Sequence, residues 1–224
     1  VMRRVIDEMH MSEVTIAYGM TETSPVSCQT NKNTPLDKQV STVGLVQPNL
    51  EVKIVDTETG EVVPIGETGE LLTRGYSVMK GYWGSRFKTR ESIKDGWMHT
   101  GDLATMDEEG YIKVVGRSKD MVIRGGENIY PVEIENYLYR HPKISDVQIV
   151  GVPDQKYGEV LAAWIIAKQN VELTEEEVKQ FCKENIAHYK IPKYFRFVQE
   201  YPMTITGKIQ KYKITEMMIE ELGL

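Results

Sequence analysis

Cysteine is scarce in this chain: Cys28 and Cys182 are the only two, with no CxxC pair and no histidine cluster beside either. A disulfide framework and a thiolate zinc centre are thereby excluded, and a reducing compartment is expected. The cytoplasm is the first expectation, with an organelle matrix or peripheral membrane association left open. Long hydrophobic runs are also lacking. The longest, such as Val160–Ala167, falls far short of the roughly 20 residues that a membrane-spanning helix needs. Nor is there an excess of positive charge: the net charge is −6, and no basic stripe with interleaved aromatics appears, which excludes a general nucleic-acid binder. The four histidines, His10, His99, His141 and His188, are scattered, which argues against a metal centre built on them. Repeats and low-complexity tracts are absent. The opening VMRRVIDEMH is no signal peptide: Met stands second, and the segment has the pattern of an amphipathic helix. The chain is therefore expected to begin inside a longer protein.

What is present is ordinary for a globular protein, 41% hydrophobic and 27% charged over 224 residues, enough for one large domain or two modest ones. Residues 1–27 suggest a helix, a strand over Val14–Ala17 and the loop YGMTETSP. Residues 28–42 are polar and turn-rich, and suggest a surface connection. From Leu50 the pattern turns to period two: LEVKIV, the turn DTETG, EVVPIG, GELLTRG, LATM and YIKVV. These predict short strands of a small antiparallel barrel or sandwich, with Met79, Tyr82, Trp83 and Trp97 packed in it. After GRSKD the pattern mixes helices and strands. PVEIENYLYRH has Pro131 at a helix start. ISDVQIVGV and VLAAWIIAK are buried strands. TEEEVKQFCKENI opens with the capping box Thr174 and Glu177, and sets Val178, Phe181, Cys182 and Ile186 on one face. YFRFV is a further strand and ITEMMIEELGL a closing helix. The boundary falls at Ser118–Asp120, giving 1–42, a β-rich 43–117 and an α+β domain over 118–224.

Three places carry candidate chemistry. Asp102 and Arg117 flank a predicted hairpin, Leu103–Met106 and Tyr111–Val115, closed by Asp107-Glu108-Glu109-Gly110. Closing it brings both to its open end, as a diol-binding carboxylate with a guanidinium beside it or as a plain surface ion pair. In Tyr18-Gly19-Met20-Thr21-Glu22 a ring can stack on a purine, glycine permits close approach, a hydroxyl can meet phosphate and a carboxylate can hold Mg²⁺. Thr206-Gly207-Lys208 carries a lysine suited to developing negative charge, or simply a solvated basic turn.

In order, YGMTE, GYW, WMHTGD, GRSKD, GGENIYPVEIE, HYKIP and TGKIQK resemble the later core motifs of the adenylate-forming superfamily of acyl-CoA synthetases and AMP-dependent ligases. The resemblance covers nearly the whole chain. GRSKDMVIRGGENIYPVEIE and TGKIQK are most similar to the fatty-acyl-CoA synthetase branch, including its medium-chain type. It implies the end of an α/β large domain, a β-barrel subdomain and a mobile α+β C-terminal domain. It also implies an AMP-forming ligase that uses MgATP, a carboxylic (fatty) acid and CoA. By matched position, Tyr18 would flank the adenine, Gly19 would belong to the same nucleotide-binding loop, Thr21 would meet a phosphate and Glu22 would hold Mg²⁺. Asp102 would take both ribose hydroxyls with Arg117 assisting, and Lys208 would bridge carboxylate and α-phosphate. Lys119 would be the hinge between half-reactions, and Gly125, Gly126, Glu127 and Asn128 would line the path of the CoA arm. Where some relatives carry a CoA-binding arginine, this chain has Lys156-Tyr157. The superfamily's phosphate loop, of the form TSGTTGxPK, has no match in residues 1–17 and is expected upstream. Loading of a separate carrier protein and a non-catalytic role are the alternatives, and homo-oligomerisation stays open. The basic segment His188–Lys213 suits either CoA phosphates or a solvated face.

Overall fold

The computed structural model describes residues 2–11, 13–183 and 185–224, with side chains from Val5 onward. It divides into two compact units, Val1–Ser118 and Lys119–Leu224.

The first unit opens with helix α1 (Met2–Met9), then strands β1 (Ala17–Gly19) and β2 (Val26–Gln29), helix α2 (Leu36–Ser41) and strand β3 (Leu45–Val46). β4 (Leu50–Val55), β5 (Gly69–Gly75), α3 (Arg86–Ser92), β6 (Ile93–Lys94), β7 (Trp97–Met106) and β8 (Ile112–Arg117) follow. β1, β2 and β3 form one antiparallel sheet. The period-two segments form a second, ordered β4-β5-β7-β6, with β8 also paired to the long β7. This sheet stays open at β4 rather than closing on itself. Cys28 from β2 packs with Ile54, Leu71, Ala104 and Ile112 from the large sheet, and Tyr18 lies against them.

Four expectations are corrected here. Residues 28–42 are a surface connection only in part: 31–33, 35–37 and Ser41 are exposed, but Cys28, Thr30, Thr34, Gln39 and Thr42 are buried. Their polarity is satisfied inside, since the Thr30 hydroxyl accepts from the Ile16 amide at 2.8 Å and the Thr42 hydroxyl donates to the Lys38 carbonyl at 2.6 Å. Internal hydroxyl caps mimic the composition of a solvated loop. EVVPIG is no strand; only a Val55–Val62 bridge forms, because Pro64 has no amide to donate and Val62 and Ile65 face solvent. The first strand covers Ala17–Gly19, not Val14–Ala17. Trp83 packs nothing and is fully exposed.

The second unit contains β9 (Val122–Arg124), β10 (Glu127–Ile129), α4 (Pro131–Leu138), β11 (Ile144–Asp154), β12 (Gly158–Ala167), α5 (Glu175–Lys183), β13 (Tyr194–Phe197) and α6 (Lys211–Leu222). Its sheet runs β10-β9-β12-β11, with β13 parallel to β12. Both faces are covered, which is why β11 and β12 read as nearly unbroken apolar runs. Val147, Ile149, Leu161, Ala163 and Ile165 meet α4 and α5 on one face. Val150, Val152, Val160, Ala162 and Trp164 meet Tyr201 and α6 on the other. Helix α5 forms half of its capping box: the Glu177 amide donates to the Thr174 hydroxyl at 3.3 Å, but the Glu177 carboxylate pairs with Lys143 instead. Glu184, within the predicted helix, lies outside the described residues. Among the described residues no helix is long and apolar enough to cross a membrane.

Candidate active site

Strand pairing alone sets Asp102 of β7 directly opposite Arg117 of β8. A register shift at Leu103/Ala104 sits next to this pair; such bulges re-aim side chains near strand ends. The Arg117 Nε donates to Asp102 Oδ1 at 3.1 Å, with the carboxylate buried and the guanidinium largely exposed. β1 supplies a third member, Tyr18, whose direct contact with Asp102 the hairpin spacing did not suggest. The Tyr18 phenol donates to Asp102 Oδ2 at 2.6 Å. Burial, and then the bond to Asp102, push that phenol well above the usual tyrosine range. Both carboxylate oxygens are thus oriented, yet each keeps a lone pair for a ligand hydroxyl.

The turn after Tyr18 is built tightly. A Cβ on Gly19 would lie 1.5 Å from the Pro25 carbonyl oxygen, so glycine is required there by the chain's own backbone. Thr21 is exposed at the start of a short 3₁₀ turn. The neighbouring Thr23 does the holding: its buried hydroxyl accepts from the Met20 amide and donates to the Met20 or Pro25 carbonyl, each at 3.1 Å. Glu22 is half-buried, accepts from the Tyr82 phenol at 2.9 Å, and receives the Met79 amide on its carbonyl at 2.8 Å. Tyr82 was expected only to pack; its aromatic character hid a polar role. Among the described residues no group of three or more metal-binding side chains gathers, so Glu22 stands as a single carboxylate.

Lys119 follows Arg117 by two residues, exposed within the 3₁₀ turn Ser118–Asp120 where the two units divide. In the second unit Gly125 and Gly126 form the two-residue turn between β9 and β10, with φ of +60° and +90°. Two positive φ angles in succession match the twist of a tight hairpin and suit glycine. Glu127 and Asn128 follow, both exposed. The Gly125 amide donates to the Tyr157 carbonyl at 2.8 Å, and the Arg124 and Lys156 cations lie 5.0 and 4.9 Å from the Tyr157 ring.

Lys208 ends an exposed turn from Thr204. Its amide donates to the Thr204 hydroxyl at 3.0 Å and its carbonyl accepts the Thr204 amide at 2.8 Å, with Gly207 at φ +79°. Three residues on, Lys211 donates to Glu135 at 2.6 Å and to the Ile149 carbonyl at 3.3 Å, tying α6 to α4 and β11. The basic segment around it is largely neutralised by other elements: Lys190 meets Glu133, Lys193 meets Asp154 and Arg196 meets Glu221. The bond from Lys193, followed by those from the Tyr157 and Lys156 amides, holds the Asp154 carboxyl down at about 2.

The AMP-binding enzyme family matches residues 1–83, and the C-terminal domain of AMP-binding enzymes matches residues 133–208. The chain belongs to the AMP-binding enzyme family. A mitochondrial medium-chain acyl-CoA ligase of Danio rerio, ACSF2, is 51% identical over all of the chain and 37% of its own length. ATP-bound MatB from Rhodopseudomonas palustris is 34% identical, with a TM-score of 0.85 over 91% of this chain and 40% of that one. MenE from Bacillus subtilis, an o-succinylbenzoate CoA synthetase in complex with its acyl-adenylate intermediate, is 32% identical, with a TM-score of 0.83 over 90% and 41%. This AMP-binding chain spans about two-fifths of the length of the curated relatives it matches.

Proposed function

We propose that the protein carrying this chain is an AMP-forming acid–thiol ligase. It converts a medium- or long-chain fatty acid and MgATP to acyl-adenylate and pyrophosphate, then passes the acyl group to CoA. The observation that carries this reading is Asp102, buried and held from both sides by Tyr18 and Arg117 in a chain of the AMP-binding family. A carboxylate oriented in that way accepts both hydroxyls of a ribose. Tyr18 and Gly19 then flank the adenine, and the exposed Thr21 meets a phosphate. Mg²⁺ is usually held by one or two carboxylates together with substrate phosphates, so the single Glu22, steadied by Tyr82, fits its needs. When bound, the ion neutralises phosphate charge. Lys208, a point charge on an exposed turn, meets the acid carboxylate and α-phosphate and stabilises the charge that builds between them. Lys119 is the pivot, and the Gly125–Asn128 hairpin meets the CoA arm in the second half-reaction. The fatty character of the acid is supported by the name of the Danio rerio relative.

The test, on the whole protein that carries this chain, is acid-dependent ATP–pyrophosphate exchange, followed by thioester formation, over a ladder of straight-chain acids with CoA and with a phosphopantetheinyl carrier protein. Exchange and acyl-CoA formation with aliphatic acids are expected. Exchange without transfer to CoA would overturn the second half of the reading, and no exchange with any acid would overturn the whole. Residues 1–224 alone are expected to show no exchange, because the triphosphate has no loop of amides and hydroxyls to hold it in line.

A further inference from the structure

The segment from Lys80 to Lys94 has surface chemistry unlike the rest of the chain. It carries five cations, Lys80, Arg86, Lys88, Arg90 and Lys94, against the single acid Glu91, in a chain whose net charge is −6. All five are exposed, and among the described residues none forms an ion pair. Cations elsewhere are often paired, as Lys38, Arg74, Lys190, Lys193 and Lys211 are. Two exposed aromatic rings stand among the free cations, so a short basic stripe with interleaved aromatics is present here, contrary to the expectation from sequence that none exists. Trp83 is fully exposed and Phe87 is 75% exposed, while α3, which carries Phe87, buries none of its residues.

Trp83, Arg86, Arg90 and Lys80 also line one open concavity of about 680 Å³. An open concavity of that size has room for a phosphate headgroup. Exposed aromatics ringed by unpaired lysine and arginine mark an interaction surface. The partner must be negative, to satisfy the cations, and soft enough to admit two isolated rings. A bilayer interface meets both demands: indole and phenyl rings sit at headgroup depth, and lysine and arginine are drawn to anionic lipid.

We propose that the Lys80–Lys94 segment is a docking surface for an anionic phospholipid bilayer. Trp83 and Phe87 enter the interface, and a headgroup phosphate rests against Lys80, Arg86 and Arg90. The surface depends on no assignment made for Asp102 or Lys208, although its concavity is also lined by Tyr82, which bonds Glu22.

Co-sedimentation of the whole protein that carries this chain with phosphatidylcholine vesicles, with and without phosphatidylglycerol, tests this. Binding to the mixed vesicles alone, weakened by salt, is expected. Each interfacial cation contributes roughly fivefold in partitioning, so Arg86→Glu with Arg90→Glu should weaken it by more than about 25-fold. Trp83→Ser with Phe87→Ser should abolish it with the circular dichroism spectrum unchanged. Lys113→Glu, a distant exposed cation, should leave it intact. Brominated lipid should quench wild-type tryptophan emission and lose that effect in Trp83→Phe. Equal binding to neutral vesicles, no binding to anionic ones, or undiminished binding by the variant lacking both arginines and both rings would each overturn the proposal. So would capture of single-stranded RNA without any binding to vesicles.

Discussion

In the unit ending at Ser118, the candidate side chains hold one another. Asp102 is buried between a phenol and a guanidinium, and Glu22 is bound to Tyr82. In the unit beginning at Lys119, the candidates are exposed: Gly125, Gly126 and Lys208 sit on short turns, and Glu127 and Asn128 begin the short strand β10. What is locked there is the frame beneath them, through Lys211–Glu135 and the two-faced sheet. The contrast suits the two tasks proposed above for these groups. A group that binds a rigid sugar gains by losing its freedom before the ligand arrives. A group that must serve one half-reaction and leave for the other gains by being free on a rigid mount.

The sharpest way to break that comparison is Lys208→Ala. Acyl-adenylate formation should fall about 10²–10³-fold, the size of losing one preorganised charge contact. Thioester formation from supplied acyl-adenylate should persist, and the denaturation midpoint should move by less than about 0.5 kcal/mol in stability, as for an ordinary surface change. Equal loss of both half-reactions would remove the distinction.

Glu135→Ala should do the reverse. It leaves Lys211 charged and half-buried and the Ile149 amide without its partner, at a cost of about 3 kcal/mol in urea unfolding. Asp102→Asn comes next: AMP affinity should drop about tenfold by calorimetry, and stability should fall by about 1 kcal/mol because Tyr18 and Arg117 lose a charged acceptor. An unchanged affinity would make the cluster a strand-end ion pair and nothing more.

Lys119→Pro fixes φ near −65° at the division between the units and should slow thioester formation about tenfold while sparing adenylation. The smallest effect concerns acid. The Asp154 carboxyl, held at about 2 against an ordinary 3.8, contributes stability that is whole above about pH 4. That contribution is lost as pH falls through 2. Lys193→Met should lower the unfolding midpoint slightly at neutral pH and converge on the wild type below about pH 2, which flattens the acid limb in a pH series.

Much of the second unit was legible in its sequence because its strands are long, apolar and buried on both faces. The β9–β10 hairpin escaped notice, since two three-residue strands carry too little pattern to register. In the first unit the polar residues after Cys28 misled, because threonines that cap internal turns look like threonines in water. Asp102 and Arg117 could be joined from sequence, as a hairpin of fixed length admits few registers. Tyr18 could not be joined to them from spacing alone: it lies 84 residues from Asp102, and no local period reports such a contact.

Local order therefore determined the apolar strands, the helix starts at Pro131 and after Thr174, the Asp102–Arg117 hairpin and the motifs that resemble the adenylate-forming superfamily. These depend on period, turn chemistry and residue identity, which a linear chain displays. The closing helix begins at Lys211, three residues before the expected Ile214, and α2 and α3 were not foreseen. Tertiary structure alone decided which polar groups are buried, that Tyr18 closes on Asp102, that Lys211 anchors the frame around Lys208, and that Trp83 is left in water. Those outcomes follow from sheet packing between distant segments, where burial and desolvation, not sequence spacing, set the energy of each contact.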